Sequence, residues 1–304
     1  MATILTEVNP ANDWCQRCGP GRTHTWVHRR DGGFDPDQYT VEAVAEPTAK
    51  AFVMAHHYSG AYVADILRYG LFDLAATGPG GGPALVGMMV LSTPQNVLAI
   101  TNPFPELEPF KESAELGRFV LLDGVPSNAE TNFLRRGFEL AREEGMRGVV
   151  SFADPMPRAT VDGRLVMPGH IGAIYREKGA LYAGRSTPGP LWLAPDGTSL
   201  SERSLQKIRR NEQGHEGVER RLVAYGASPR EPHEDDGAAW LRRELQRIGV
   251  RRVRHRGKHR YLFKLAKTRA QRRQIHIAMP TSRTYPTRVD VPPAPGANLP
   301  AATH

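Results

Sequence analysis

The sequence predicts a mixed α/β fold, and three observations carry that expectation. Strand-like and helix-like patterns alternate along residues 41–265 instead of segregating into blocks. One helix, over 127–145, has a start signal, an apolar stripe and a stop. The segment after it, RGVVSFAD (147–154), is an apolar run of the kind expected for a strand covered on both faces.

Taken in order, residues 1–38 are rich in Gly, Pro and Asp and read as an irregular N-terminal segment. VEAVAE (41–46) predicts a short strand. Pro47 suits a first helical turn, and the helix formers of PTAKAFVMAHHY continue it. LRYGLFDLAA (67–76) and PALVGMMVLSTP (83–94) predict two strands joined by the flexible loop TGPGGG. ITNPFPELEPF carries three prolines and reads as irregular. RFVLL, inside ELGRFVLLDGVP (115–126), is the next strand. SNAE (127–130) fits a capping box, Ser127 toward the third helical amide and Glu130 reaching back. Leu134, Phe138 and Ala141 then recur on one face, and Gly145 stops the helix. HIGAIYREKGALYAGRS (170–186) predicts a short helix and a strand. SERSLQKIRRNE (201–212) and DDGAAWLRRELQRIG (235–249) predict two more helices, and KHRYLFKL (258–265) a last strand. The expected organisation is an N-terminal segment (1–38), one α/β domain (39–288) that includes a basic helical elaboration at 201–257, and a disordered tail (289–304).

With 304 residues the chain can bury a sizeable core. No run of about 18 apolar residues exists, so no membrane partner is expected. The start, MATILTEVNPAND, lacks a basic stretch followed by an apolar one, and two cysteines fit a reducing compartment, so the expected location is the cytoplasm. The net charge of +8 is uneven. Residues 201–289 hold 23 lysines and arginines against nine acidic residues, a surplus of 14, while the rest is acidic by six. Such asymmetry points to a polyanion, and nucleic acid is the commonest one. Within it, GVRRVRHRGKHRY offers Arg251, Arg252, Arg254, Arg256, Lys258, His259 and Arg260 as DNA-phosphate contacts; the plainer reading is a surface strand with solvated charges.

Two further patterns bear on chemistry. Ser151 and Asp154 stand where the apolar strand gives way to a loop, the carboxyl end at which ligands gather in α/β sheets; capping of that loop is the plainer use. Near the N-terminus, Cys15, Cys18, His24 and His28 have the pairwise spacing of zinc ligands, although the loop between the pairs is short for a finger. A compact zinc knuckle and an arm with incidental Cys and His both fit.

AHHYSG (55–60), ELGRFVLLD, SNAE, SFAD and GHIGAIY, in that order, resemble the phage Mom family. The resemblance runs from about residue 50 to 186 and resumes in GKHRYLFKL and RTYPTR. It implies a GNAT-like fold: a mixed central sheet flanked by helices, here with a basic C-terminal elaboration. It also implies conversion of adenine in phage double-stranded DNA to N6-carbamoylmethyladenine, which shields the DNA from restriction. Residue by residue it points to His56, His57, Tyr58, Arg118, Ser151, Asp154 and Tyr175, with His170 beside them. The resemblance leaves the donor and the cofactor open. It brings in iron, for which a site would take His56 or His57 with Asp154 or His170, the first set to consider being His56, Asp154 and His170, since two adjacent helical histidines point about 100° apart and cannot easily share one metal. VPSNAE lacks the glycines of the phosphate-binding loop found in ordinary GNAT acetyltransferases, and Glu130 places a carboxylate in the first helical turn; both argue against acetyl-CoA.

The chemistry suits these residue types. Adenine N6 is a weakly nucleophilic amine, so a base such as Asp154 or a histidine helps its proton leave. An arginine steadies a developing anion or orients a carboxyl or amide; for Arg118 the plainer role is a salt bridge to Glu115 or a nearby carboxylate. Aromatic faces can stack an extruded base, while Tyr175 could equally be core packing. The competing functions are a GNAT-type acyltransferase acting on a protein or small amine, and a non-catalytic DNA-binding protein.

Overall fold

The computed structural model describes residues 14–19, 21, 24–231 and 233–287. In chain order it begins with β1 (Trp14–Cys18), β2 (His24–His28), β3 (Tyr39–Ala43), α1 (Glu46–His56), β4 (Asp65–Thr77) and β5 (Pro83–Ser92). It continues with α2 (Leu98–Thr101), β6 (Ser113–Leu121), α3 (Ala129–Glu143), β7 (Gly148–Ala153), β8 (Arg158–Ala159) and β9 (Leu165–Met167). Next come α4 (Ala173–Glu177), β10 (Leu181–Arg185), β11 (Gly189–Leu193), β12 (Ser199–Leu200), α5 (Glu202–Arg209) and α6 (His215–Ala224). The last elements are α7 (Gly237–Arg247), β13 (Arg251–His255), β14 (His259–Lys264) and α8 (Arg269–Gln274). Among the described residues no helix is long and apolar enough to cross a membrane.

These elements form two units. Of the described residues, the larger takes those up to Pro155, then His170–Ser186 and those from Lys258 to 287; the smaller takes Met156–Gly169 and Thr187–Gly257. The basic elaboration expected at 201–257 is thus part of a unit that also draws on two earlier stretches.

In the larger unit a seven-stranded sheet has the order β10-β14-β7-β6-β5-β4-β3. All neighbours are antiparallel except β6 and β7, which run parallel with α3 as their crossover. Both faces are covered. Phe133, Leu134, Phe138 and Ala141 of α3 pack with Met89, Leu91 and Val149 on one face. On the other, Ala49, Phe52 and Val53 of α1 cover Met88, Val90 and Val120, while Ile100, Phe104 and Leu107 cover Val150 and Leu262. Alternate residues of β5 and β7 therefore serve opposite layers, which is why RGVVSFAD reads as an apolar run. Helix α3 lies close to β5: a Cβ on Gly137 would sit 2.2 Å from Met89 Cε.

Three expectations give way. The N-terminal segment is not irregular throughout, because β1 and β2 pair as an antiparallel ribbon from Trp14↔His28 to Cys18↔His24. The proline-rich loop opens with the short helix α2. The capping box is absent: Asn128, in the left-handed region at φ 72°, caps α3 without a side-chain bond, and Ser127 donates to Gly32 O at 3.4 Å. Glu130 instead pairs with Arg17 of β1, whose guanidinium also donates to Val125 O at 2.7 Å and Pro126 O at 2.6 Å. An ion pair from a distant strand has replaced the local cap.

The smaller unit holds a three-stranded sheet, order β12-β11-β13, the β8-β9 pair, and α5, α6 and α7. Its core gathers Leu205, Ile208, Leu222, Trp240, Leu241 and Leu245. Helices α5 and α7 match the sequence reading, whereas α6 and the β11–β13 sheet go beyond it. The tail expected to be disordered, 289–304, lies outside the described residues.

Candidate active site at the fork of two parallel strands

The parallel pair β6 and β7 is short. Ser113, Ala114 and Glu115 match Gly148, Val149 and Val150, and beyond them the strands no longer pair. Here β6 also changes register against β5: Leu116 pairs Leu91 and Arg118 pairs Val90, leaving Gly117 as the extra residue of a bulge. Gly117 is required there, since a Cβ would meet Ser92 Oγ at 2.2 Å. The bulge has a chemical consequence. Residues three apart on a regular strand point to opposite faces, but one inserted residue brings Glu115 and Arg118 to the same face.

Glu115 and Arg118 do not form a salt bridge, so the plainer reading of Arg118 fails. Its Nε donates to Ala61 O at 3.0 Å and one terminal nitrogen to Gly117 O at 2.6 Å. The other terminal nitrogen, Nη2, makes no hydrogen bond within the protein. Burial pushes the Arg118 pKa down, with Tyr58 and Glu115 acting against it. Burial likewise raises the pKa of Glu115, only partly offset by Lys258 and Arg118. A carboxyl with a raised pKa, beside an arginine held by carbonyls, has the electrostatics of a proton acceptor. From the sequence, Glu115 stands out only as a partner for Arg118. The usable signal is its place three residues before Arg118, with a glycine between them.

The other expected residues divide by position. Ser151 on β7 is fully buried, and its hydroxyl lies beside the Tyr175 phenol without the alignment of a hydrogen bond. Burial pushes the Tyr175 pKa up to about 12; Ser151 lowers it, and Tyr58 and Glu115 raise it further. Tyr58, Glu115, Arg118, Ser151 and Tyr175 are thus within electrostatic or contact reach of one another around the fork. Asp154 is 3% exposed just past β7, and its carbonyl accepts the His170 N–H at 2.7 Å. The His170 ring stands edge-on to Tyr175 at 6.5 Å.

The two histidines of AHHYSG differ. His56 ends α1 with its ring 4.7 Å from Phe52, its Nδ1 is buried without a hydrogen-bond partner, and burial lowers its pKa. His57 is buried, and its Nδ1 accepts the Ser59 N–H at 3.2 Å with Ser59 Oγ at 2.8 Å. That leaves the proton of the neutral ring on Nε2. The His57 ring lies 4.2 Å from Tyr58, so His57, and not His56, adjoins the cluster.

The expected iron ligands are not brought together. Among the described residues no group of three or more His, Cys, Asp or Glu side chains is placed to hold a metal, so His56, Asp154 and His170 are not gathered as iron ligands. Cys15 and Cys18, three apart on β1, point to opposite faces of the ribbon. Cys18 pairs with His24, whose side chain lies outside the described residues, and His28 Nδ1 accepts the Arg30 N–H at 3.1 Å. Burial raises the Cys18 thiol to about 12.

The N-terminus of α3 does not fit a coenzyme pyrophosphate. Val125 and Ser127 are buried, and Arg17 fills the place before the helix by binding Glu130 and two loop carbonyls. Of the DNA-contact candidates, Arg251–Arg256 belong to the smaller unit and Lys258–Arg260 to the larger. Arg251 donates to Ala159 O at 2.8 Å and Arg252 lies 5.6 Å over the Trp192 ring, whereas Arg254 and Arg256 are exposed. Lys258 is exposed. His259 is buried and bonded to Tyr182 at 2.9 Å, and the half-buried Arg260 packs 5.7 Å over Phe152.

Two solved structures share low similarity with this chain. A protein described as a phosphinothricin N-acetyltransferase is 11% identical, covers 50% of this chain and 87% of its own, and has a TM-score of 0.27. A tandem GNAT protein from the clavulanic acid biosynthesis pathway, without acetyl-CoA, is 10% identical, covers 76% of this chain and 99% of its own, and has a TM-score of 0.36. At these scores neither bears on function. No curated protein matches the chain. The model of the Mom protein family matches residues 38–287, most of the chain, and on that match the chain belongs to the Mom protein family.

Proposed function

We propose that this chain is a DNA-modifying transferase that converts adenine in double-stranded phage DNA to N6-carbamoylmethyladenine, a mark that protects against host restriction. Family membership supports the reaction class, and one observation supports the site: a half-buried carboxyl, Glu115, brought to the face of Arg118 by the bulge at Gly117 yet not ion-paired with it, because Arg118 bonds to the Ala61 and Gly117 carbonyls. Adenine inside a duplex is out of reach of such a site, so the base is extruded, with Tyr58, backed by the buried His57, offering a flat face beside it. The N6–carbon bond forms as the carbon's bond to the donor's leaving group breaks, and the N6 proton passes to Glu115. Arg118 Nη2 steadies the departing anion or orients the amide. Ser151 and Tyr175 complete the polar wall, with Asp154 and His170 fixing the loop behind it. The reaction would take place in the cytoplasm of the host cell.

An acyl-CoA-dependent acyltransferase would have to seat its phosphates where Arg17 and Glu130 sit, which weighs against it. The test is the nucleoside content of plasmid DNA from cells expressing the chain. We expect deoxyadenosine heavier by one carbamoylmethyl group. Unmodified deoxyadenosine together with tight acetyl-CoA binding in calorimetry would replace this reading with the acyltransferase one.

A further inference from the structure

An open groove of about 390 Å³ in the larger unit lies away from the fork, between α3, the end of β14 and α8. Eight lysines and arginines line it against one carboxylate, Glu139. That carboxylate is already engaged by Arg135 at 3.2 Å. Lys178, Lys264, Arg269, Arg272 and Arg273 have no carboxylate within ion-pair reach among the described residues. Burial lowers the Lys178 pKa, and Arg135 and Arg272 lower it further, so these cations feel one another across the groove.

The shape of α8 adds a second observation. None of its residues is buried, so core packing does not explain it; a Thr268–Gln271 capping box and the buried Ile275 hold it in place. The helix displays Arg269, Arg272 and Arg273 to solvent. Across the groove, Arg135 and Arg142 stand two turns apart on α3, about 10 Å along its axis. The lining aromatics, Phe138 and Phe263, are only 5% exposed and pack on each other at 4.9 Å, so no ring face is offered for a base. Rows of cations without a stacking surface suit phosphates alone, which favours a duplex over a single strand or a free nucleotide.

We propose that this groove binds the phosphodiester backbone of double-stranded DNA. The choice of DNA over another polyanion rests on the function proposed above; the phosphate chemistry does not. The test is binding of the full chain to a short duplex of mixed sequence, followed by fluorescence anisotropy across a salt series. The triple variant Arg269→Gln, Arg272→Gln, Arg273→Gln, with an unchanged melting temperature, should bind more weakly. The slope of log affinity against log salt should become shallower by about 0.9 for each phosphate that is no longer neutralised. Arg135→Gln should make the slope shallower in the same sense, by about 0.9 in all. Wild-type slopes in both variants would overturn the proposal, as would displacement of the duplex by micromolar inorganic pyrophosphate. Because binding is read without turnover, duplex binding that depends on the groove but leaves adenine unmodified sinks the proposed reaction alone. Adenine modification with unaltered salt slopes sinks the groove alone.

Discussion

Two meetings of an acid with an arginine, the buried Arg17 with Glu130 and the half-buried Arg118 with Glu115, are built to opposite ends. In the first, the carboxylate is ion-paired, and the guanidinium also donates to the carbonyls of Gln16, Val125 and Pro126. In the second, the bulge brings the groups to one face, yet Arg118 donates to the Ala61 and Gly117 carbonyls and Glu115 is left with a raised pKa. The first arrangement leaves little capacity for a ligand and ties the N-terminal ribbon to α3. The second leaves the acid and one guanidinium nitrogen without a hydrogen bond inside the protein. A charge satisfied within the protein reads as architecture, and a desolvated charge left without such a partner reads as a site.

The sharpest break comes from Arg17→Ala. It strands Glu130 in the interior, and loss of one partner of a buried pair costs about 3–5 kcal/mol. Chemical denaturation should show that loss, and Arg17→Met with Glu130→Gln should recover much of it. Glu115→Gln should do the reverse: little loss of fold, but about a 10²–10⁴-fold drop in adenine modification, the scale of a missing general base. Its pH signature is distinctive. Burial raises the folded pKa of Glu115 above its unfolded value, so its contribution to stability is full below the ordinary carboxylate range and falls as pH rises through the raised pKa. Glu115→Gln should therefore gain on the parent in melting temperature across that window, while parent activity climbs with pH over the same range. Gly117→Ala should cost about 1–3 kcal/mol as the bulge gives way, and Ser92→Ala in the same chain should restore part of it by removing the 2.2 Å contact. The smallest effect separates the paired histidines. His57→Ala should lower modification by about tenfold through misplacement of Tyr58, and His56→Ala by less.

Much of the fold is readable in the sequence because its signals are local. The stripe of Leu134, Phe138 and Ala141, the apolar β7 and the β4–β5 hairpin all lie within short windows. What escapes depends on distance or on absent periodicity. The β1–β2 ribbon is hidden among glycines and prolines, and the partner of Arg17 lies 113 residues away, so SNAE reads as a capping box. Helix α8 has no buried residue and hence no apolar period to detect. In the site, Tyr58, Arg118, Ser151 and Tyr175 stand out because ordered motifs carry them. Glu115 is undervalued because its orientation is set by a register shift against β5 that no run within β6 encodes.

The unsatisfied acid at the fork, and not the satisfied pair at α3, is held to do the chemistry. That claim is tested most directly by the deoxyadenosine mass in plasmid DNA from cells expressing either the parent chain or Glu115→Gln at equal levels. Modified deoxyadenosine is predicted with the parent, and none detectable with a Glu115→Gln protein that melts at or above the parent temperature. Equal modification by both would contradict it.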